Sequence, residues 1–439
     1  MHRPLVILGL TVLLAGAATV ASASTKLGPP RYPAVADAYV SAAAPRANFG
    51  RAGTLQSGRG PVRRAYLRFD LRSLSAAGLR KATLRLQGSG TGRFSISVAG
   101  SAWNERRINF RNAPRPGRRI ALVKARRGQM TIDVTKGVTL GKQVTFVLTS
   151  SKPMRFKSRE SARAPRLDLS LFSDETLIAA GDVGFCGQPY DEATAAVING
   201  IPGTVAALGD LAYETGTAAE FAACYQPSWG AFKTRTRPAP GNHEYESDPA
   251  ASGYFGYWGA QAGNPAQGWY SYELGAWHVI ALNSECGRIG GCFAGSPEEK
   301  WLRADLAAHR RECTLAYWHE PLFSESLGSS ESDKLPFWQA LYDAHADVIL
   351  NGHSHNYQRF APQTPAGALD PARGIRQFIV GTGGNPNLHA LNNPLPNVEV
   401  ANNTTWGVLQ LTLHPRGYDW QFLRAAGGTF TDSGSQACH

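Results

Sequence analysis

Nine residues with carboxylate, imidazole, phenol or amide side chains lie in the second half of the chain, and several follow short apolar runs. Asp182, Asp210 and His319 come directly after the runs 176–181, 203–209 and 314–318. One such residue is commonly a helix cap or turn former. Five runs that end in this way indicate a shared site instead. The candidates are Asp182, Asp210, Tyr213, Asn242, His243, His319, Glu320, His353 and His355.

The side chains of this set are those that bind two different kinds of metal ion. Carboxylates suit hard cations, imidazoles suit borderline ones, and a carboxylate can bridge two ions. A lone histidine is usually a surface or core residue, but this set combines histidines with carboxylates at the ends of successive runs. The sequence therefore predicts a site for two cations.

The elements that must position these residues are buried strands. Apolar runs that deliver a polar residue at their carboxyl end are typical of an α/β sheet, with the site along that edge. Amphipathic segments at 297–309 and 335–344 are predicted to be helices between the strands. We therefore expect residues 173–439 to form an α/β domain.

Five sequence blocks carry a family resemblance. They are Gly181-Asp182-Val183-Gly184, Gly209-Asp210-Leu211-Ala212-Tyr213, Gly241-Asn242-His243-Glu244, Trp318-His319-Glu320-Pro321 and Gly352-His353-Ser354-His355. In this order they resemble the signature of the calcineurin-like metallophosphoesterases, and most closely that of the purple acid phosphatase branch. The resemblance implies an αββα sandwich that hydrolyses phosphomonoesters by attack of a metal-bound hydroxide.

The resemblance also implies which residues hold the metals, a ferric ion and a divalent iron, zinc or manganese ion. The ferric ligands would be Asp182, Tyr213 and His355. The divalent ligands would be Asn242, His319 and His353. Asp210 would bridge the two ions, and the phenolate of Tyr213 is a hard anionic donor that favours Fe(III).

Two further residues are expected to act in catalysis without binding metal. His243 adjoins the implied ligand Asn242 and would steady the phosphoryl group or protonate the leaving alkoxide. Glu320 directly follows His319 and would share this task or orient its neighbours.

The first half of the chain predicts a different domain. Alternating runs at 38–40, 65–71, 83–86, 94–98 and 144–148 are separated by Gly, Ser and Pro turns, which favours an antiparallel β-sandwich over residues 37–172. The blocks at 36–40, 48–50, 65–71, 156–160 and 164–167 resemble the DNRLRE-type carbohydrate-binding modules. That resemblance implies a jelly-roll-like fold beside an extracellular enzyme.

The two halves carry opposite charge. Residues 25–172 hold 30 Lys+Arg and 6 Asp+Glu, a net of +24, whereas residues 173–439 hold 14 and 27, a net of −13. The basic half is expected to bind an acidic polysaccharide, an anionic envelope polymer or DNA. The alternative is a basic spacer with no partner.

The amino terminus is predicted to be a cleaved export signal over residues 1–23, followed by a Pro-rich linker over 24–36. Arg3 precedes the apolar run 5–18, which is shorter than the roughly 20 residues that a membrane span requires. We therefore expect a secreted protein, associated with the cell wall if the basic half binds it, with no membrane span and no obligate protein partner.

Six cysteines fit export, because an even number in an oxidising compartment indicates disulfides. Many pairings are open. Cys286 and Cys292 bracket a short glycine-rich loop, and we expect Cys186–Cys224 and Cys313–Cys438 as the other pairs. Thiolate metal binding is the alternative, although no C-x-x-C spacing is present.

Two other functions remain open from the sequence. The same metals permit phosphodiesterase or nuclease activity, and the chain would be a polyanion-binding wall protein if its phosphoesterase domain were vestigial. G-x-S-x-G, P-loop and dinucleotide-binding patterns are missing from the sequence.

Overall fold

The structure is a computed structural model that describes residues 30–439 apart from 327, 329 and 330. The predicted signal at 1–23 lies outside the described residues. No helix in the described part is long and apolar enough to cross a bilayer.

The described chain forms 24 strands and five α-helices. The first eleven strands are β1 Arg31–Pro33, β2 Ala36–Ser41, β3 Thr54–Arg59, β4 Val62–Asp70, β5 Leu79–Gly90, β6 Arg93–Ala99, β7 Arg119–Lys124, β8 Gly128–Asp133, β9 Gln143–Ser150, β10 Met154–Lys157 and β11 Arg166–Leu171. The others are β12 Glu175–Ala180, β13 Thr204–Leu208, β14 Thr236–Ala239, β15 Tyr270–Leu274, β16 Trp277–Ala281, β17 Cys313–Tyr317, β18 Val348–Asn351, β19 Tyr357–Phe360, β20 Arg376–Val380, β21 Val398–Asn402, β22 Gly407–His414, β23 Gly417–Arg424 and β24 Ser433–Ala437. The helices are α1 Tyr190–Asn199, α2 Ala218–Glu220, α3 Ser252–Trp258, α4 Pro297–Ala308 and α5 Leu335–Asp343.

The first eleven strands form an antiparallel β-sandwich, as predicted. Strands β1-β11-β5-β10-β3 make one layer, with β8 beside β5, and β4-β9-β6-β7 make the other, with β2 beside β4. Alternate residues face a common core, for example Leu67 and Phe69 of β4, Leu84 of β5 and Phe146 of β9. The helical structure of this domain, within the described residues, consists of two short 3-10 turns at Arg72–Leu74 and Thr135–Gly137.

The predicted linker over residues 24–36 is wrong for its second part. Residues Arg31–Pro33 form β1, which pairs with β11 in the order Arg31↔Asp168 to Pro33↔Arg166. A Pro-rich segment reads as a linker, but an edge strand tolerates proline because one side of its backbone has no ladder partner. Residues 24–29 lie outside the described part.

The second domain is the predicted four-layer α/β fold. One sheet has the order β14-β13-β12-β22-β23-β24 and the other β15-β16-β17-β18-β20-β19-β21. Strands β12, β13 and β14 are parallel, as are β16, β17, β18 and β20. The main core lies between the two sheets, and a second core lies under α4 and α5.

The two predicted helices end slightly earlier than expected. Helix α4 begins where Ser296 accepts a hydrogen bond from Glu299 N and where Pro297 takes the first helical position, and it ends at Ala308 instead of residue 309. Helix α5 ends at Asp343 instead of residue 344. Both helices bury apolar residues against the sheet, including Leu302 and Trp338.

The three expected disulfides are present: Cys186–Cys224, Cys286–Cys292 and Cys313–Cys438. The thiolate alternative is therefore excluded, since no cysteine is free. The last disulfide joins the start of β17 to the chain terminus.

The β-sandwich contacts the second domain at the edge where the parallel strands of the second domain begin. Arg416 donates to Ser75 O at 3.1 Å, and the Arg311 guanidinium lies 5.9 Å from the centre of the Phe172 ring. The boundary that we propose after Phe172 falls between β11 and β12. Because β12 runs away from this contact, its carboxyl end lies at the opposite edge of the sheet.

Candidate metal centre

Four candidate residues occupy the same position relative to their strands. Asp182, Asp210, His319 and His353 each lie two residues beyond the end of β12, β13, β17 and β18 respectively. Two of these strands belong to one sheet and two to the other. Because the strands within each set are parallel, their carboxyl ends meet along one edge, where the two sheets face each other.

Three of these residues turn the backbone sharply. Asp182, Asp210 and His353 have φ angles of 60°, 52° and 66°, in the left-handed region that side chains other than glycine seldom adopt. Such strain costs on the order of 1–3 kcal/mol per residue and collects at functional sites. These turns direct the three side chains into the space between the sheets.

The phenol of Tyr213 joins the first group of residues. Its oxygen lies 3.0 Å from Asp182 Oδ1, 3.2 Å from His355 Nε2 and 3.3 Å from Asp210 Oδ2. His355 Nε2 is also 3.2 Å from Asp182 Oδ1. All four side chains are buried. The structure thus brings the expected ferric ligands together around one point.

A second group lies on the other side of Asp210. Asp210 Oδ2 is 3.1 Å from His319 Nε2, and Asn242 Oδ1 is 3.2 Å from His353 Nδ1. The ligand atoms of Asp210, His319 and His353 all lie within 4.8 Å of one another. Asp210 therefore belongs to both groups, as a bridging residue would.

Two imidazoles are oriented by backbone carbonyls. His319 Nδ1 lies 2.8 Å from Leu208 O and His355 Nδ1 lies 2.9 Å from Asn387 O, so that each Nδ1–H donates and each Nε2 presents a lone pair to the site. His319 Nε2 is fully buried and lies 3.1 Å from Asp210 Oδ2. Gly209 permits this approach, since a Cβ there would lie 2.6 Å from the His319 ring.

The electrostatics of the site call for positive charge. Burial raises the pKa of Tyr213 well above its ordinary value, and the carboxylates of Asp182 and Asp210 raise it further. Burial also raises the pKa of Asp210, but the imidazoles of His319 and His243 outweigh burial and hold that pKa low. Two buried carboxylates beside one phenol and a buried imidazole nitrogen fit a pair of cations.

The two residues expected to act without binding metal are placed differently. His243 hydrogen-bonds through Nδ1 to Glu214 O, and its Nε2 lies 3.7 Å from Asp210 Oδ2 at the edge of the site. Glu320 instead forms an ion pair with the Lys334 ammonium at 2.7 Å, and its backbone N–H donates to Ser284 Oγ. The side chain of Glu320 is therefore engaged by Lys334, although Glu320 directly follows the candidate ligand His319.

Two residues near the site were not singled out from the sequence. The buried Glu244 accepts hydrogen bonds from Asp210 N, Leu211 N and Gly241 N, and burial raises its pKa to about 7. Glu244 directly follows Asn242-His243 in the sequence, and this adjacency to two candidate residues could have identified it. His389 stacks on His355 at 4.0 Å and accepts from His355 N, but it stands alone in the sequence and no spacing points to it.

Both halves of the chain match known families. Residues 176–357 match the family described as calcineurin-like phosphoesterase, and residues 30–171 match carbohydrate-binding module family 96. Both resemblances seen in the sequence are confirmed. The first family covers the strands that carry Asp182, Asp210, His319 and His353.

The curated relatives include several purple acid phosphatases. Purple acid phosphatase 15 of Arabidopsis thaliana is 27% identical over 246 residues, which cover 48% of this chain and 45% of that protein. Purple acid phosphatase 21 of the same plant is 30% identical over 200 residues (40% and 43%), and acid phosphatase A of Cryphonectria parasitica is 28% identical over 190 residues (38% and 38%). The chain thus spans less than half the length of these relatives.

Among solved structures, purple acid phosphatase PPD1 from yellow lupin seeds aligns with 88% of this chain and 74% of its own. The TM-score is 0.49 and the sequence identity 15%.

Proposed function

We propose that the chain hydrolyses phosphomonoesters with two metal ions, because residues 176–357 match the calcineurin-like phosphoesterase family and the relatives above include two purple acid phosphatases. The observation that carries this proposal is the position of Asp210, whose Oδ2 lies within 3.3 Å of both Tyr213 OH and His319 Nε2. One carboxylate between two ligand sets is what a dinuclear site needs.

We assign a ferric ion to one ligand set and a divalent iron, zinc or manganese ion to the other. The ferric ligands are Asp182, Tyr213 and His355. The divalent ligands are Asn242, His319 and His353. When bound, such a pair neutralises charge on a phosphoryl group and supplies a nucleophile from water near neutral pH.

The backbone around Asp210 keeps this arrangement rigid. Asp210 Oδ1 accepts from His243 N at 3.0 Å, and Glu244 holds the amides of residues 210, 211 and 241 together. With one carboxylate oxygen held in this way, Oδ2 remains directed between the two ligand sets. The protein thus fixes its ligands before substrate arrives, so that no reorganisation is needed during the reaction.

His243 is the residue that we assign to the substrate. The Glu214 carbonyl fixes the ring through Nδ1, and the side chain is 24% exposed, so that Nε2 is accessible at the rim. In its protonated form Nε2–H donates to a phosphoryl oxygen, and it can pass its proton to the leaving alkoxide. His243 is therefore the general acid in this proposal.

Glu320 acts as a positioning residue in this proposal. Its carboxylate holds the buried Lys334, whose ammonium also contacts Asp333 Oδ1 at 2.7 Å and Cys286 Sγ at 3.3 Å. The pair joins the turn after β17 to the disulfide loop 286–292. These contacts fix the segment that follows His319 in place beside the candidate site.

We further propose that the protein is secreted and that the basic β-sandwich tethers it to an anionic polymer. Three disulfides support an oxidising compartment, and the net charge of +24 over residues 25–172 supports a polyanionic partner.

Reconstitution with iron and zinc tests the phosphatase proposal. We expect the purified chain to bind two metal ions and to cleave nitrophenyl phosphate much faster than bis-nitrophenyl phosphate. Faster cleavage of the diester would favour the phosphodiesterase or nuclease alternative. Metal content and turnover both at zero would establish a vestigial domain.

A further inference from the structure

The four hairpin turns of the β-sandwich that point away from the phosphoesterase domain form one surface. They connect β3 to β4, β5 to β6, β7 to β8 and β9 to β10. Ala125 N donates to Gly92 O at 2.8 Å, Gly92 lies against Lys152, and Gly58 lies against Pro153. The turns therefore adjoin one another at a single end of the sandwich.

This end is strongly basic. It carries seven basic side chains, which we call the basic tip: Arg59, Arg63, Arg93, Lys124, Arg126, Arg127 and Lys152. All except the half-buried Arg63 are exposed. In the described part of the chain none of the seven makes an ion pair, whereas the ion pairs of this domain involve Arg72, Arg85, Arg159 and Arg166.

The acidic residues of the sandwich lie away from the tip. Asp70 and Asp133 end β4 and β8 near the phosphoesterase domain, and Asp168 pairs with Thr83 on the same half of β5. Glu105 and Glu160 cluster with Asp37. Asp133 is five residue steps along β8 from Gly128, about 17 Å at 3.3–3.4 Å per residue, which exceeds the roughly 8–10 Å over which salt screens charge.

The chemistry of the tip selects a partner with carboxylate groups. Five of its seven bases are arginines, whose planar fork pairs with carboxylates through two hydrogen bonds. The turns contain no aromatic residue on which a nucleic-acid base could stack. Since the domain matches a carbohydrate-binding module, an acidic polysaccharide fits better than DNA.

The tip is remote from the candidate metal centre. Along β5, twelve residue steps, or roughly 40 Å, separate the phosphoesterase contact at Gly78 from the tip at Gly90. The metal centre lies beyond the far end of β12, a further five residue steps from that contact, or about 17 Å.

We propose that the basic tip is the polymer-binding surface, and that it holds an acidic polysaccharide at the end of the molecule opposite the phosphoesterase cleft. The bound polymer is then an anchor and not the substrate, and the cleft faces away from it toward soluble phosphoesters. The second half of this inference depends on the proposed function, whereas the location of the surface does not.

Binding of the full chain to polygalacturonate-coated beads tests the location of the surface. The triple variant R126Q/R127Q/K152Q removes three charges from the tip. The matched control R106Q/R107Q/R111Q removes three exposed charges from the loop after β6. We expect at least a tenfold loss of affinity for the tip variant and less than a twofold loss for the control. The slope of log K against log salt should fall by about two for the tip variant alone.

Equal losses in both variants, or no loss in the tip variant, would overturn the assignment. Tighter binding to beads that carry DNA or polyphosphate would overturn the choice of partner.

Turnover of nitrophenyl phosphate tests the orientation. We expect bead-bound enzyme to keep the kcat/KM of free enzyme, and both triple variants to match the parent. Competitive inhibition by soluble polygalacturonate would show that the polymer enters the cleft and would overturn the anchor role. A chain that binds the beads but has no turnover would refute the phosphatase proposal and leave the tip intact.

Discussion

Tyr213 is the residue that favours a ferric ion, instead of a second divalent ion, in the proposed metal pair. Its oxygen touches Asp182, Asp210 and His355 at 3.0–3.3 Å, and burial together with two carboxylates raises the pKa of the phenol. A neutral phenol in this position is a hydrogen-bond donor. Only a strongly acidic cation would take the place of its proton, which favours Fe(III) at this point.

We therefore predict that the iron-loaded protein is coloured by charge transfer from the tyrosinate and that Tyr213→Phe bleaches it. The ring also packs 4.6 Å from His243, so that phenylalanine should keep the fold. Visible absorption and iron content measure the effect, and circular dichroism serves as the control. A colourless parent that is iron-free and fully active would refute the assignment.

Asp210 and His243 adjoin each other in space but have different roles in the proposal. Asp210→Asn is expected to reduce metal content below two ions and to abolish nearly all turnover, because the amide removes the shared negative charge. His243→Ala is expected to keep both metals and to lower kcat by about 10²–10⁴-fold. Metal analysis beside kcat separates the two. Normal turnover in Asp210→Asn would end the bridging assignment.

At the level of elements, a buried polar cluster ties α4 to β16. Asp305 Oδ2 accepts from His278 Nε2 at 2.7 Å, and Asp305 Oδ1 accepts from Ser271 Oγ at 2.9 Å and lies 2.9 Å from His309 Nδ1. Burial raises the pKa of Asp305, but the hydrogen bond and charge of His278 outweigh burial and hold that pKa below its ordinary value. This cluster lies near the edge that contacts the β-sandwich, far from the candidate metal centre.

This cluster predicts a pH dependence of stability. A carboxyl whose pKa is lowered by folding stabilises the protein above its unfolded pKa of about 4, and this contribution is lost as the pH falls through the folded value. Asp305→Asn should therefore lower the free energy of unfolding by about 3–5 kcal/mol at pH 6, with a smaller difference at pH 3.

Thermal unfolding at the two pH values measures this effect. Asp343→Asn is the matched control, since Asp343 is half exposed and makes a surface pair with Arg303 that is worth about 0–1 kcal/mol. An Asp305→Asn variant as stable as the control at pH 6 would contradict the prediction.

At the level of the whole molecule, the contact between the domains lies away from both the candidate metal centre and the proposed polymer-binding tip. Gly78 faces Pro415, and a Cβ at Gly78 would lie 2.5 Å from Pro415 Cβ. Arg416 adds one hydrogen bond to Ser75 O and pairs with Glu312. A side chain at position 78 would therefore separate the domains.

We predict that Gly78→Val increases the radius of gyration in small-angle scattering and leaves kcat/KM for nitrophenyl phosphate unchanged, because the candidate metal centre lies at the opposite sheet edge. Gly53→Ala is the control, since a Cβ there meets no atom within 4 Å. A loss of turnover in Gly78→Val with unchanged metal content would show that the interface supports the site.

The fold class and the identity of the candidate site residues could be predicted from the sequence, because both depend on patterns within short segments of the chain. Buried strands read as apolar runs, and the residue two positions past each strand end is polar in four cases, from Asp182 to His353. In the sandwich, β3, β7, β8, β10 and β11 were not predicted, and in the second domain β14, β15 and β19 to β24 were not. Strands β8, β10 and β11 do alternate with period 2, but over only two or three apolar positions each, which is too short a pattern to distinguish a strand from a loop. The edge strand β1 contains proline and reads as a linker.

The sequence by itself determined which chemical groups exist and in which order the strands deliver them. Only the tertiary structure decided how close those groups come, since Tyr213 reaches three partners that lie 31, 3 and 142 positions away along the chain. The same holds for His389 and for the basic tip. Neither has a local pattern, because each is assembled by strand pairing and turns that bring distant segments to one place.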